Sequence, residues 1–536
     1  MLSIVCSKKR CSGLLLIMAM LVGALLRLIG LDTLPPGLQQ DEAMNGLDAY
    51  SLGLTGRDHF GHLLPIVGLE SFGDWVSPLL TFLSAPVIGL VGPRVDVLRG
   101  VAAIVGLLAI PALYWCGLVL FGRYDIAVVA AWVLALEPAH VHLSRFAIPP
   151  VTVVTFVPLC IAATVAAIRK GHPAPLMAAG AVAGLTVLGY PTMKLYVPLL
   201  LATIMAIEWR QVRAAPIRGL FAGAVVFALV AGPNLLFSIV DPTGRTRLSQ
   251  VSTFGSNGGG PLDGIAGYLA YFTPEFLFAT GDGDTTHGSP LFGLFLWALL
   301  PLLLQGFVWL LARVRREDIA TRRRGARILL AVLFLAPLPG ALTVPSPHML
   351  RGAPLLPLGL LLCAAGLASL FDAYTLRRQR RAGEGAWIVV LIVVLLVAPL
   401  VEGGVRLREY FTSYPAVSAV GFSAGIGETV AWVMPRAVRY DEIWLPFSYN
   451  YLLFYGAISP TEVQRTLVVR RTPGRFNTIA AYGPYRFGVP PSTDLATFRP
   501  ETIIYGPDHL PRYEIGSALA ADGRKLLVAL PVRATP

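Results

Sequence analysis

Eleven long apolar runs dominate the sequence, at about 12–31, 99–121, 126–142, 151–168, 174–190, 193–208, 219–239, 290–312, 328–345, 353–371 and 386–402. Each approaches the ~20 residues that carry a helix across the hydrocarbon core of a bilayer. A bilayer admits only helices or closed barrels, because each backbone polar group must find its partner within the protein. The pattern therefore predicts a polytopic α-helical membrane protein with about eleven spans. Composition agrees: 55% of residues are hydrophobic and only 14% are charged, a balance at which a soluble chain would aggregate. The first run is too long for a signal peptide and no small-residue cleavage site follows it, so it reads as a retained span. One more run, "SPLLTFLSAPVIGLVG" at 77–92, contains two prolines and two glycines. It reads either as a span or as a helix lying in the interface.

Charge fixes the orientation. The net charge is +12, but the basic residues cluster in short segments between the runs. This is the signature of topology rather than of nucleic-acid binding, and no nucleic-acid partner is expected. With the N-terminal "KKR" inside and 77–92 not spanning, the inner segments hold about 20 Lys and Arg against about 8 outside. If 77–92 spans, the balance reverses to about 10 inside and 18 outside. The first arrangement puts the N-terminus in the cytoplasm and the C-terminal part outside, in the cytoplasmic (inner) membrane of the cell.

Three external pieces then stand out. The first loop, 32–98, is unusually long. The loop at 240–289 is rich in Gly and Ser and reads as mobile at its centre. Residues 403–536 lose the long apolar runs and show short β-like stretches, "YDEIWLPF", "FNTIAAYG", "ETIIYG" and "KLLVALPV", after a helical "GIGETVAWVM". The expected organisation is a transmembrane domain over 1–402 and a small extracytoplasmic α/β domain over 403–536. Five cysteines, two in the N-terminal tail and three inside apolar runs, predict no disulfide framework. No dinucleotide fingerprint, P-loop, HExxH or CxxC occurs.

Chemistry concentrates on the outer side. The first loop carries adjacent carboxylates in "QQDEAMNGLDAYSLGL", where Ala43, Leu47, Tyr50 and Leu54 repeat with helical spacing. Asp41 is placed to cap that helix, and Glu42 to lie in its first turn. Other external loops offer His142 and Arg145 in "HLSRFAIPP", Tyr190 and Lys194 in "GYPTMKLY", and His348 and Arg351 in "TVPSPHMLRGAP". Each cation alone reads as an interfacial snorkelling residue. Together, on a side poor in positive charge, they suit an anionic lipid headgroup. A carboxylate base opposite phosphate-binding cations suggests group transfer from a phosphate-linked lipid. In "ATGDGDTTHGSP", Asp282, Asp284 and His287 have spacing conceivable for a metal. A polar turn touching an acceptor is preferred, so no cofactor is assigned and a divalent metal is left open.

"DEAMNGLDAYSLGLTGRDHFGHLLP", "SPLLTFLSAPVIGLVGPRVDVLRGVAAIVG", "LYWCGLVLFGRYDIAVVAAWVLALEPAHVHLSRFA", "YFTPEFLFATGDGDTTHG" and "PSPHMLRGAPLLP" together resemble one family. It is the bacterial integral-membrane glycosyltransferases of the GT-C fold, related to protein O-mannosyltransferases and lipid A aminoarabinose transferases (glycosyltransferase family 39). The resemblance spans roughly residues 12–400. It implies an inverting transferase with a polyprenyl-phosphate sugar as donor, a protein, lipid or glycan as acceptor, and a site on the outer face. It carries the general base onto Asp41, with Glu42 positioning the acceptor or Asp41 itself. Arg145 matches the family's Ser-Arg segment, and Lys194, His348 and Arg351 are placed for the donor phosphate. Asp74, Tyr190 and His287 are further substrate-binding candidates. Members with an acidic residue shortly after that Arg differ from "FAIPP"; Asp74 and Glu137 are the nearest substitutes. Two other readings are a transporter or flippase of lipid-linked sugars and a non-catalytic envelope-assembly protein. Against a transporter, the sequence shows no internal repeat and its notable charges lie at loop edges. Arg27, the exception, is expected to snorkel from the outer end of its span.

Overall fold

A computed structural model describes residues 2–241, 243–244, 252–254, 259–380, 386–439, 442–445, 447–470, 478–487 and 502–504. Each of the eleven apolar runs coincides with a helix or helix pair. Among the described residues, eight helices are long and apolar enough to cross a membrane, and a ninth span arises if the bent pair Tyr124–Leu136 and Pro138–Ser144 is one. The shorter apolar helices are Leu79–Val91, Pro173–Gly189 and Met193–Ile207. The run at 77–92 thus becomes a helix of only 13 residues. The centre of the 240–289 loop and "KLLVALPV" lie outside the described residues.

The chain divides into two compact units. The first comprises Met1–Ile29, Ala102–Arg145 and Pro149–Tyr410 and is almost wholly helical. Its close packing relies on small residues, the device that lets membrane helices approach backbone to backbone. "GAVAG" on helix Pro173–Gly189 and "GLFAG" on helix Ile217–Val240 are both small-xxx-small motifs. A Cβ at Gly180 would collide with the carbonyl oxygen of Gly223, and one at Gly223 would sit 2.7 Å from the Leu176 oxygen. Gly180→Leu and Gly223→Leu should each lower the thermal midpoint in detergent, by a loss of about 1–3 kcal/mol or more. Gly232→Leu, where a Cβ meets nothing within 4 Å, should stay near wild type.

The bend between Tyr124–Leu136 and Pro138–Ser144 is 65°. Its cause is local: Pro138 cannot donate to the preceding turn, and Glu137 before it is forced to an extended ψ of 118°. The bend frees the carbonyls of Leu134 and Ala135, and Arg27 takes them. Its guanidinium donates to both, at 3.1 and 2.9 Å, to Gly23 O at 3.0 Å and to Ser144 Oγ at 3.2 Å, with His140 Nδ1 at 2.7 Å. Arg27 is fully buried, so the expected snorkelling is wrong. Broken backbone hydrogen bonds supplied acceptors inside the bundle, and the charge did not have to reach the interface.

The second unit comprises Gly30–Val101, Phe146–Ile148 and Phe411–Pro536. It holds helix Gln40–Thr55, an antiparallel hairpin of β1 (Leu69–Ser71) and β2 (Asp74–Val76), and helix Leu79–Val91. Its five-stranded sheet contains β3 (Glu442–Leu445), β4 (Val468–Arg470), β5 (Thr478–Tyr482), β6 (Tyr485–Phe487) and β7 (Thr502–Ile504), in the order β4-β5-β6-β3-β7. β3 runs parallel to β6 and β7, while β4, β5 and β6 are antiparallel. The expected helix is present as Ile426–Val433. Met44 and Leu47, from the first loop, share one core with Val430, Ile443, Leu445, Tyr449, Leu452 and Ile479. Helix Leu79–Val91 lies so close to Gln40–Thr55 that Gly53 and Gly89 meet backbone to backbone.

Candidate functional site

In the second unit, the adjacent carboxylates have opposite environments. Gln39, not Asp41, caps the helix: its side chain accepts from Asp41 N at 2.5 Å, and Glu42 Oε2 accepts from Gln39 N at 3.2 Å. A Gln–x–x–Glu capping box replaces the expected Asp41 cap, because the helix begins at Gln40, two residues earlier than an Asp41 cap would start it. Asp41 is left exposed in the first turn, at the positive end of a 16-residue helix. Glu42 is fully buried. Arg99 grips it in bidentate fashion, Nε to Oε1 at 3.0 Å and Nη2 to Oε2 at 2.9 Å, and Ala147 N donates to Oε1 at 2.8 Å. The remaining Arg99 donors reach the carbonyls of Leu31, Pro35 and Gly37. Burial keeps the Glu42 carboxylate out of solvent. Asp74 is buried on β2.

The same unit holds a relay that the sequence reading missed. His59 Nδ1 meets Asp48 Oδ1 at 2.6 Å, and its Nε2 meets Tyr449 Oη at 2.8 Å. All three side chains are buried. "GRDHFGH" was visible, but a helix residue, a loop residue and a partner 390 positions away give no spacing to recognise. Burial raises the Asp48 carboxyl. Burial also opposes charge on His59, but the Asp48 carboxylate outweighs it and holds the imidazole above its ordinary range. The pair retains a proton that the unfolded chain gives up near pH 6.5. The stabilisation is complete below that pH and is lost as pH rises through the raised folded value. Melting in detergent across pH 6–9 should show stability falling on the alkaline side, and His59→Asn should flatten the slope.

The first unit holds the candidate cations. Arg145 ends helix Pro138–Ser144, is fully buried, and donates to Leu26 O at 3.1 Å. Lys194, in the first turn of Met193–Ile207, donates to Ser238 Oγ at 2.6 Å and is half-buried. His142 meets Thr286 O at 2.8 Å and Tyr410 Oη at 3.3 Å. Arg351 donates to Thr343 Oγ1 at 2.9 Å and to Pro345 O at 3.1 Å.

Asp282, His287, His348, Arg351 and Tyr190, all singled out in the sequence, come together with Tyr271. His287 Nδ1 lies 2.7 Å from Asp282 Oδ2, and the His287 and His348 rings are 5.0 Å apart. Tyr271 Oη accepts from His348 N at 3.2 Å, and Tyr190 and Arg351 both act on its phenol electrostatically. Burial, with the charges of His287 and Arg351, pushes His348 down to about 3, so it is neutral at physiological pH. His287 overcomes burial and holds the Asp282 carboxyl below the usual range. Asp284 instead caps the short turn Thr285–His287 through Thr286 N. The polar turn is present, and the fold adds His348 and Tyr271 from separate segments. Tyr271 was missed; "YFTPEF" marks it only by its place beside this loop.

Residues 76–237 match the family described as dolichyl-phosphate-mannose-protein mannosyltransferase. That stretch contains Arg99, Arg145, Tyr190 and Lys194. No curated protein sequence matches the chain. In fold it is similar to ArnT from Cupriavidus metallidurans bound to undecaprenyl phosphate, with a TM-score of 0.51 and 15% identity over 97% of this chain and 98% of that one. It is also similar to the oligosaccharyltransferase AglB from Archaeoglobus fulgidus, in complex with an inhibitory peptide and a dolichol-phosphate. There the TM-score is 0.54 with 15% identity over 89% of this chain. The chain spans 61% of the length of that archaeal enzyme. The chain thus shares the GT-C membrane fold of these two enzymes, and over residues 76–237 it is similar to the mannosyltransferase family.

Proposed function

We propose that the protein moves a sugar from a polyprenyl-phosphate donor to an acceptor at the outer face of the cytoplasmic membrane, with inversion at the anomeric carbon. The observation that carries this reading is the division of labour between neighbouring carboxylates. Glu42 is locked by Arg99, while Asp41 stands exposed at a helix N-terminus. Asp41 accepts the proton of the acceptor hydroxyl or amine as that group attacks the anomeric carbon. The bond from that carbon to the phosphate oxygen breaks, and the lipid phosphate leaves as an anion. Lys194, His348 and Arg351 hold the phosphate, with Arg145 adding positive charge from its buried position. Tyr190, His287 and Asp74 contact sugar or acceptor. The lipid phosphates and peptides in the AglB and ArnT structures support these substrate classes. The excess of Lys and Arg in the inner segments supports a cytoplasmic N-terminus and an outer C-terminal part.

Reconstituted into liposomes with labelled polyprenyl-phosphate sugars and peptide, lipid or glycan acceptors, the protein should transfer the label. Movement of the labelled lipid across the bilayer without transfer would instead establish a flippase. A C-terminal reporter active only in the cytoplasm would overturn the orientation.

A further inference from the structure

We propose that Asp282, His287 and His348 form a binding site for a zinc-class divalent ion. One ligand atom from each of the three, a carboxylate oxygen and two imidazole nitrogens, lies within 4.8 Å of the other two. The carboxylate oxygen is 2.7 Å from His287 Nδ1 and 3.6 Å from His348 Nδ1. Bonds of about 2.0–2.2 Å in a tetrahedron place ligand atoms roughly 3.4 Å apart. The two observed separations bracket that spacing, so small side-chain shifts suffice to seat an ion.

The donors come from two chain segments. Asp282 and His287 lie on one loop, and His348 on another that follows helix Leu338–Ala341. Each is oriented by groups outside the trio. Asp282 Oδ1 accepts from Asp284 N at 3.2 Å, which turns Oδ2 toward the imidazoles, and Met349 N donates to Oδ2 at 2.8 Å. His348 is held by Tyr271 through its own backbone, and its Nδ1 faces the Leu350 amide at 3.3 Å as an acceptor. This lone pair, already free of a proton, is the form a metal needs. Outer partners of this kind accompany ligating carboxylates and imidazoles.

The donor set selects the ion. Two imidazole nitrogens and one carboxylate oxygen suit zinc, whereas magnesium and calcium take mainly oxygen ligands. Three protein ligands leave a fourth position for water or a substrate oxygen. The site rests on ligand chemistry alone. Its failure would leave the proposed sugar transfer standing, and failure of transfer would leave the site standing.

The test uses the full chain, purified in detergent through a tag that binds no metal. Elemental analysis should find about one zinc per chain, removable by chelator and restored by zinc but not by magnesium. Cobalt(II) added to the stripped protein should give the visible absorption of a tetrahedral site. Asp282→Asn and His348→Gln should each weaken zinc binding by more than about 100-fold, since even outer-shell partners cost 10–100-fold. Both variants should melt with the stripped wild type, which separates ligand loss from misfolding. Zinc that stays at full stoichiometry in both variants, stripped protein that takes up neither zinc nor cobalt, or magnesium that displaces zinc would each overturn the proposal.

Discussion

Asp41→Asn should lower the rate of sugar transfer by about 100- to 10,000-fold, the range that a positioned general base contributes. The amide keeps the size of the side chain and cannot take the acceptor's proton. The helix start should survive, because capping falls to Gln39 and Glu42, and Asp41 contributes its backbone N–H to that cap whatever its side chain. Binding of donor lipid and the melting temperature should therefore stay near wild type while kcat falls. Single-turnover transfer with a labelled polyprenyl-phosphate sugar, set beside equilibrium donor binding, measures both. An undiminished kcat would remove Asp41 as the base.

The largest effect on stability should come from Arg99→Met, by about 3–5 kcal/mol. That is the cost of removing one member of a buried pair and leaving the other charge uncompensated. Glu42 and Arg99 side chains are both 0% exposed, so water cannot take over. Glu42→Gln should be milder. Arg99 would keep the carbonyls of Leu31, Pro35 and Gly37, and the amide oxygen could still accept from Ala147 N. Arg99→Met with Glu42→Gln should recover part of the loss, since no full charge is then stranded. Thermal denaturation of the four proteins in detergent gives the order directly. Equal stability of Arg99→Met and wild type would show that the pair carries no weight.

What the sequence made legible were the elements, because membrane length, helical period and strand alternation are local properties. The eleven runs have their helices, and "YDEIWLPF", "FNTIAAYG" and "ETIIYG" contain β3, β5 and β7. The charges of the candidate site were legible as residue types, since polar groups at the edge of apolar runs are few. Their partners were not. Arg99 lies 57 residues from Glu42, and His348 reaches an aspartate 66 positions earlier. Nothing periodic links such positions. Arg27 failed for a related reason: its acceptors exist only because Pro138 bends a distant helix. The Asp41 cap failed because Asp normally outranks Gln there, and only the actual start at Gln40 shows which residue holds the position.

The shared core around Met44 and Leu47 has a consequence for how the protein is made. The helix that carries Asp41 leaves the ribosome early. The residues it must pack against, Val430 to Tyr485 among them, are synthesised nearly 400 positions later, as the 390-residue separation of His59 and Tyr449 illustrates. Contacts of such long sequence separation form slowly, so the acidic helix must be carried through the assembly of the bundle without its final neighbours. A nascent chain halted before the sheet would have its membrane helices and an unfinished first loop. Competence for the proposed transfer would then arrive only once the sheet is made, which would keep a half-built chain from drawing on carrier lipid.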